Sequence, residues 1–286
     1  MSQLSTIHWD IDIRALSSII HREDYASAGS DTFTLFNREK FIHNGEPVKV
    51  PVISGNSFRG VLRRLGESLT AAALNYEGLL PVAAAHLLTN GGRLAKSARP
   101  LTDEQERTLK DLVPQVAVFG GSASGRIMRG QLAVGKVNPE VAELSHILTR
   151  QTSEVLPPVA LVLGAESFTH LDDHRRGVVP PSASDSDDES GPLGRYSVQT
   201  LVAGTRLQTW VRIEDATDIQ VSFFASVLAA FAEYGHLGGR VAAGHGQIAT
   251  TISPEVRRGH LTTGLDWAAQ LAERRDEAIG ALTSLT

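Results

Sequence analysis

The amino-acid sequence predicts an α+β fold with a ferredoxin-like core, and two observations point to it. A strand–helix–strand pattern occurs near the start of the chain and again near its end, and two such units in one sheet make that core. The segments between them are helical, glycine-rich or acidic and read as insertions. Of 286 residues, 42% are hydrophobic and 21% charged, enough apolar side chain for a sizeable interior. We read the chain as a single domain over 1–286.

The elements follow in order. Ile7, Trp9, Ile11 and Ile13 alternate with His8, Asp10 and Asp12, the pattern of a half-buried strand. Ser17–Asn44 is polar, contains Gly29 and several turn formers, and reads as a loop or hairpin. Lys49–Ile53 is a short strand. The helix after it places Phe58, Val61, Leu62, Leu65 and Leu69 on one face, with Ser54 or Asn56 as its cap. Residues 71–115 read as a helical insertion of short pieces broken by Gly78, Pro81 and Gly91-Gly92. Val116–Val137 is glycine-rich and strand-like, and Val159–Leu163 is a further strand. Residues 171–195 contain Pro180-Pro181 and the tract Ser182–Gly191; they cannot bury apolar area and read as a flexible protruding loop. Leu207, Thr209, Val211 and Ile213 alternate in a strand. Ile219, Phe223, Val227, Phe231 and Tyr234 stripe a helix that Gly235 terminates. A glycine-rich turn over Gly238–Gly246, a strand over Gln247–Ile252 and an amphipathic helix over Gly264–Leu282 complete the chain.

Composition excludes several chemistries. There is no cysteine, which removes disulfides, thiolate metal sites and a cysteine nucleophile and fits a reducing cytosol. Met1–Asp12 lacks a basic region followed by an apolar run, so no signal peptide is expected. No apolar run reaches the roughly 20 residues that span a bilayer. The reading is therefore cytoplasmic, with no membrane partner. The net charge of −5 argues at first against a polyanionic ligand, but the charge is unevenly placed. His170–Pro192 holds six acids and two arginines, Leu35–Gly66 has six basic residues against two acids, and Asn90–Val137 has eight against four. Local potential, not total charge, steers a polyanion.

Three segments suit phosphate. In Val50–Arg64 a strand runs through Ser54-Gly55-Asn56-Ser57 into a helix. Its N-terminus offers unpaired N–H groups, two serine hydroxyls, and Arg59 and Arg63 four residues apart on one face. The alternative is a capped helix with solvated arginines. Leu237–Gln247 has four glycines with Arg240 and His245, suited to backbone approach by a ligand or to a tight helix-to-strand turn. Phe119–Gly130 pairs glycines with Arg126 and Arg129 and has the same two readings. No P-loop is present. His170-Leu171-Asp172-Asp173-His174 invites a metal but adjoins the acidic tract, and no metal or other cofactor is expected. Gly55–Gly60 resembles a nucleophile elbow with its second glycine one residue late, which leaves a Ser57–His245 hydrolase as an alternative. Asp10, Asp24 and Asp31 are early carboxylates whose spacing demands no metal.

Together the three segments resemble the RAMP superfamily, the RNA-binding subunits of CRISPR–Cas effector complexes. Residues 50–63 resemble its isoleucine-proline-glycine-serine-serine-leucine-basic-glycine element, with Val52-Ile53-Ser54 departing from the first three positions. Val118–Leu132 resembles its Phe-Gly…Gly segment, and Gly238–Gln247 its glycine-rich loop. The approach through Gly29–Lys40 looks most like type IV effectors, with type I-D and type III relatives close behind.

The resemblance implies a ferredoxin-like, RRM-like palm, a helical insertion and a protruding thumb, for which the acidic loop is the candidate. It implies a non-enzymatic backbone subunit that binds guide RNA through phosphate and sugar and polymerises head to tail along it. Target nucleic acid, copies of itself and other effector subunits would be its partners. The expected RNA-binding residues are Ser54, Gly55, Asn56, Ser57, Arg59 and Arg63, extended by Arg38 and Lys40. Gly239, Arg240 and His245 form a neighbouring patch, and Arg126 and Arg129 a further one. Type III relatives cut target RNA with an aspartate near the position of Asn37. The amide favours a non-cleaving subunit, and a metal-dependent endonuclease using Asp31 is the runner-up.

Overall fold

A computed structural model describes residues 4–22, 33–94, 100–150, 155–171 and 193–285. The palm opens with β1 (Ser5–Ala15). A short β2 (Phe33–Thr34) leads to the hairpin β3 (Arg38–His43) and β4 (Glu46–Pro51), then to helix α1 (Gly55–Leu74). Three helices follow: α2 (Val82–Asn90), α3 (Asp103–Leu112) and α4 (Pro114–Phe119). Next come the small hairpin β5 (Gly121–Ala123) and β6 (Arg126–Met128), then β7 (Leu132–Val134) and β8 (Asn138–Pro139). A single turn α5 (Val159–Val162) enters the antiparallel pair β9 (Leu163–Leu171) and β10 (Leu193–Leu201). The chain ends with β11 (Arg206–Ala216), α6 (Asp218–Tyr234), β12 (Ile248–Arg258), α7 (Trp267–Glu273) and α8 (Arg275–Thr283).

The main sheet runs β12-β1-β11-β7, with β8 also pairing β11, and every pairing in it is antiparallel. With α1 following β1 and α6 following β11, this is the ferredoxin-like α+β core. Its logic is the alternation in β1. Ile7, Trp9, Ile11 and Ile13 are buried beneath α1 and α6, where Trp9 meets Phe224 edge-on at 5.3 Å and Phe58 meets Phe231 at 5.4 Å. The even positions face the other way. There Arg150 reaches across, donating to Asp10 at 2.5 Å, Asp12 at 2.8 Å and the Ile11 carbonyl at 2.9 Å. The segment before it is thereby held over the helix-free face.

Four expectations are corrected. Residues 114–119 are helical rather than strand-like: Pro114 presets the first turn and all six side chains are buried. Residues 159–162 are one helical turn after Pro158, and the strand begins at Leu163. The final helix is two, divided at Arg274. The span 171–195 includes strand ends at Leu171 and Leu193; the acidic tract Ser182–Gly191 lies outside the described residues. Among the described residues no helix is long and apolar enough to cross a membrane.

Candidate nucleic-acid interface

Ser54 ends the extended run, and its hydroxyl accepts from the Ser57 N–H at 3.2 Å, so Ser54 is the cap of α1. Helix geometry leaves the Gly55 and Asn56 N–H groups without intrahelical acceptors. The Ser54 N–H donates to Nε2 of His21 at 3.2 Å, which ties the turn to Ser18–Arg22. The same short segment holds two other elements. Asn37 N–H donates to the His21 carbonyl at 2.8 Å, fixing the base of the β3–β4 hairpin. Gly239 N–H donates to the Ile20 carbonyl at 2.8 Å, and Gly246 N–H to the Ser18 carbonyl at 2.8 Å, fixing the glycine-rich loop. Gln199 on β10 accepts from Arg38 at 2.8 Å and from the Phe36 N–H at 3.2 Å. The capped turn, the hairpin, the glycine-rich loop and the β9–β10 stem thus meet around Ser18–Arg22.

The hairpin turns on Asn44-Gly45, both at positive φ, the two-residue turn that suits the twist of paired strands. Its register sets Lys40 directly opposite Lys49, and both are exposed. Like charges directly opposite destabilise a strand pair, and a polyanion over that face reverses the sign. Arg38 lies on the same face, two residues before Lys40. Lys49 was not among the sequence expectations; the Asn-Gly turn is the signal that places it. Arg22, exposed beside Phe36, had no such signal.

In the glycine-rich loop the glycines have different reasons. Gly238 and Gly246 have φ of 94° and 79°, and an added Cβ would lie 2.5 Å from the Ile20 carbonyl and 2.3 Å from the Leu237 carbonyl. The fold itself requires them. Gly239 is exposed, has no positive φ, and has only the Ile20 carbonyl near a Cβ, at 3.8 Å. Arg240 spreads its guanidinium over the Phe168 ring of β9 at 4.4 Å. His245 is corrected: it is 4% exposed, with Nδ1 2.9 Å from the Ser18 hydroxyl and Nε2 3.7 Å from Glu166. It joins loop, palm and stem, and neither ring nitrogen is directed at Ser57.

Arg59 and Arg63 are also corrected. Arg63 is 7% exposed and donates to the carbonyls of Leu87 at 3.1 Å, Gly120 at 2.9 Å and Phe119 at 2.8 Å. Arg59 donates to Leu132 at 2.5 Å and to the same Phe119 carbonyl at 2.8 Å. Leu87 and Phe119 lie in the last turns of α2 and α4, where carbonyls lack helical partners. The arginines satisfy them and lock the insertion to α1. Burial, reinforced by neighbouring Arg59, pushes the Arg63 guanidinium down to about 10. Burial lowers Arg59 as well.

Phe119–Gly130 does not join the others. An added Cβ on Gly120 would lie 2.4 Å from the Met128 carbonyl and one on Gly130 2.5 Å from Phe119, so close backbone crossing explains these glycines. Arg126 donates to Glu106 at 2.5 Å and Asp103 at 2.6 Å; Arg129 is exposed. Asp10 is held by Arg150, and Asp24 and Asp31 lie outside the described residues, as do Asp172, Asp173 and His174. Asn37 donates its side-chain amide to the Val52 carbonyl at 2.9 Å.

A family model described as the RAMP superfamily matches residues 37–249. Among solved structures, a chain described as part of a type IV-B CRISPR complex is 45% identical, with a TM-score of 0.65; the match covers 93% of this chain and 99% of that chain. A search of curated proteins gives no match.

Proposed function

The chain belongs to the RAMP superfamily, and from that premise we propose that it is a backbone subunit of a CRISPR effector complex. It holds guide RNA through phosphate and sugar, accepts any base sequence, and assembles head to tail with further copies, an arrangement that builds open filaments. Other effector subunits and a target nucleic acid pairing with the guide complete its partners, in the cytoplasm. It presents the guide and does not cut.

The observation that supports this reading is the convergence on Ser18–Arg22. The α1 turn supplies Ser54, Ser57 and the N–H groups of Gly55 and Asn56. The hairpin supplies Arg38, Lys40 and Lys49, and the loop supplies Gly239 and Arg240. Backbone donors and cations recognise phosphate without reading bases. The test is the nucleic acid that copurifies with the full chain. A discrete RNA of uniform length in a large particle is expected; a monomer free of RNA overturns the proposal. Incubating the assembly with matching target RNA and magnesium tests the non-cutting role, and cleavage at regular intervals would overturn it.

A further inference from the structure

The chain contains two Asn-Gly pairs, Asn44-Gly45 and Asn90-Gly91. An asparagine before glycine is prone to lose its amide, because glycine has no side chain to shield its nitrogen from the asparagine side-chain carbon. Both asparagines are exposed, so neither sequence nor exposure separates the two pairs. Their hydrogen bonds separate them.

Asn90 ends α2 and Gly91 caps it, the Gly91 N–H donating to the His86 carbonyl. The Asn90 Oδ1 accepts from the Gly92 N–H at 3.0 Å. The Arg63 guanidinium closes over this turn, its carbon 3.4 Å from where a Cβ on Gly91 would stand. Backbone nitrogen and side chain are both held. Asn44 and Gly45 instead form the tip of the β3–β4 hairpin, both at positive φ. The ladder closes on His43 and Glu46 and leaves these two residues outside it. Among the described residues the Gly45 N–H has no acceptor, and nothing lies within 4 Å of where a Cβ on Gly45 would stand. The Asn44 Nδ2 lies 3.1 Å from Nε2 of its neighbour His43. An amide NH₂ only donates, so this bond engages the nitrogen and leaves the carbonyl end of the amide open.

We infer that Asn44 is a modification site at which the chain deamidates itself. The Gly45 nitrogen attacks Cγ of Asn44. The N–Cγ bond forms, the Cγ–Nδ2 bond breaks, and Nδ2 leaves as ammonia with the proton lost by Gly45. Water then opens the cyclic imide. Opening at the side-chain carbonyl gives aspartate; opening at the main-chain carbonyl gives isoaspartate, with an extra carbon in the backbone. Either product adds a carboxylate. Arg38–Pro51 carries three lysine and arginine side chains against two glutamates, and conversion makes the two signs equal. The longer backbone of isoaspartate no longer fits the two-residue turn, which fixes the register and sets Lys40 opposite Lys49. The hairpin thereby loses both its net charge and its alignment. The reaction needs no RNA and no partner.

The test is a peptide map of the full chain after incubation at mildly alkaline pH. Trypsin releases residues 41–49, in which Asn44 is the sole asparagine, and residues 65–93, which carry Asn90. Conversion is read from the mass gain of amide to acid, located by fragmentation, and isoaspartate from labelling by an isoaspartyl methyltransferase. Asn44 should convert about tenfold faster than Asn90, because Gly91 must first give up a hydrogen bond. In protein unfolded in guanidinium chloride the two rates should become equal. Asn44→Gly keeps a turn that accepts positive φ and should remove the signal from residues 41–49. No conversion of Asn44 in the folded chain, equal rates in the folded chain, or the same preference after unfolding overturns the inference.

Discussion

Two basic regions of this molecule look alike in sequence and have different fates. Arg59 and Arg63 lie on the second and third turns of α1; Arg38, Lys40 and Lys49 lie on the hairpin before it. The α1 arginines are drawn inward because the last turns of two insertion helices lie beside them, with the carbonyls of Leu87 and Phe119, and orphan carbonyls compete for any cation within reach. Among the described residues the hairpin has no such competitor on its outer face, and its lysines stay exposed in an unfavourable register. A basic residue is therefore read by what else needs it. Where the fold supplies acceptors it is structural; where like charges are left facing each other, the acceptor comes from outside.

Removing Arg63 should break this comparison most severely. Arg63→Ala takes the Arg63 donor from the buried Leu87 and Gly120 carbonyls, leaves the Phe119 carbonyl to Arg59 alone, and opens a void against the Phe119 ring, which lies 5.3 Å from the guanidinium. A loss of about 3 kcal/mol or more is expected in denaturant unfolding. Arg63→Lys should rescue little, because one ammonium cannot reproduce the planar fork. Wild-type stability in Arg63→Ala would return this residue to the surface set.

The next effect belongs to the hairpin and has the opposite character. Lys40→Ala with Lys49→Ala should leave stability unchanged or slightly raised, since it removes a like-charge pair. RNA retention should weaken across all sequences, and the salt dependence should flatten by about 1.4 in log–log slope. Unchanged retention over a salt series would remove the hairpin from the interface.

Much of this was legible in the sequence. The alternation in β1, the capped amphipathic α1 and the Gly235 stop on α6 are local patterns, and each produced its element. The hairpin register is legible too, through Asn44-Gly45, and it is this turn that sets Lys49 opposite Lys40. What could not be read was the long-range pairing. Nothing near Arg63 in sequence announces that the last turns of α2 and α4 will bring the Leu87 and Phe119 carbonyls there. Likewise, His245 has no local sign that Ser18 and Glu166 will flank it. Burial of a charge depends on partners tens to hundreds of residues away, and a single sequence does not record them.

The glycine-rich loop sharpens the contrast at smaller scale. Gly246→Ala forces a left-handed backbone and a clash with the Leu237 carbonyl, so it should lower Tm. Gly239→Ala has space and an ordinary φ, so it should fold as wild type. In the proposed interface the added methyl stands between backbone and ligand, and RNA retention should fall without a change in Tm. A drop in Tm for Gly239→Ala would instead make that glycine structural.

The smallest effect is expected at Arg126, the residue the sequence placed beside RNA and the fold placed beside acids. Its guanidinium joins Glu106 and Asp103 at the edge of the insertion. Burial alone would raise the Glu106 carboxyl, but hydrogen bonds from Lys110 and Arg126 outweigh it and hold its pKa below the usual value. A carboxyl with a lowered folded pKa contributes stability above the ordinary carboxylate range and loses it as pH falls through that range. Arg126→Ala should therefore show a slightly lower Tm than wild type near neutral pH, and the two curves should converge in acid. RNA retention should be unaffected throughout. A salt-dependent loss of RNA in Arg126→Ala, with Tm unchanged, would show that external phosphate outcompetes Glu106 and Asp103 for this arginine.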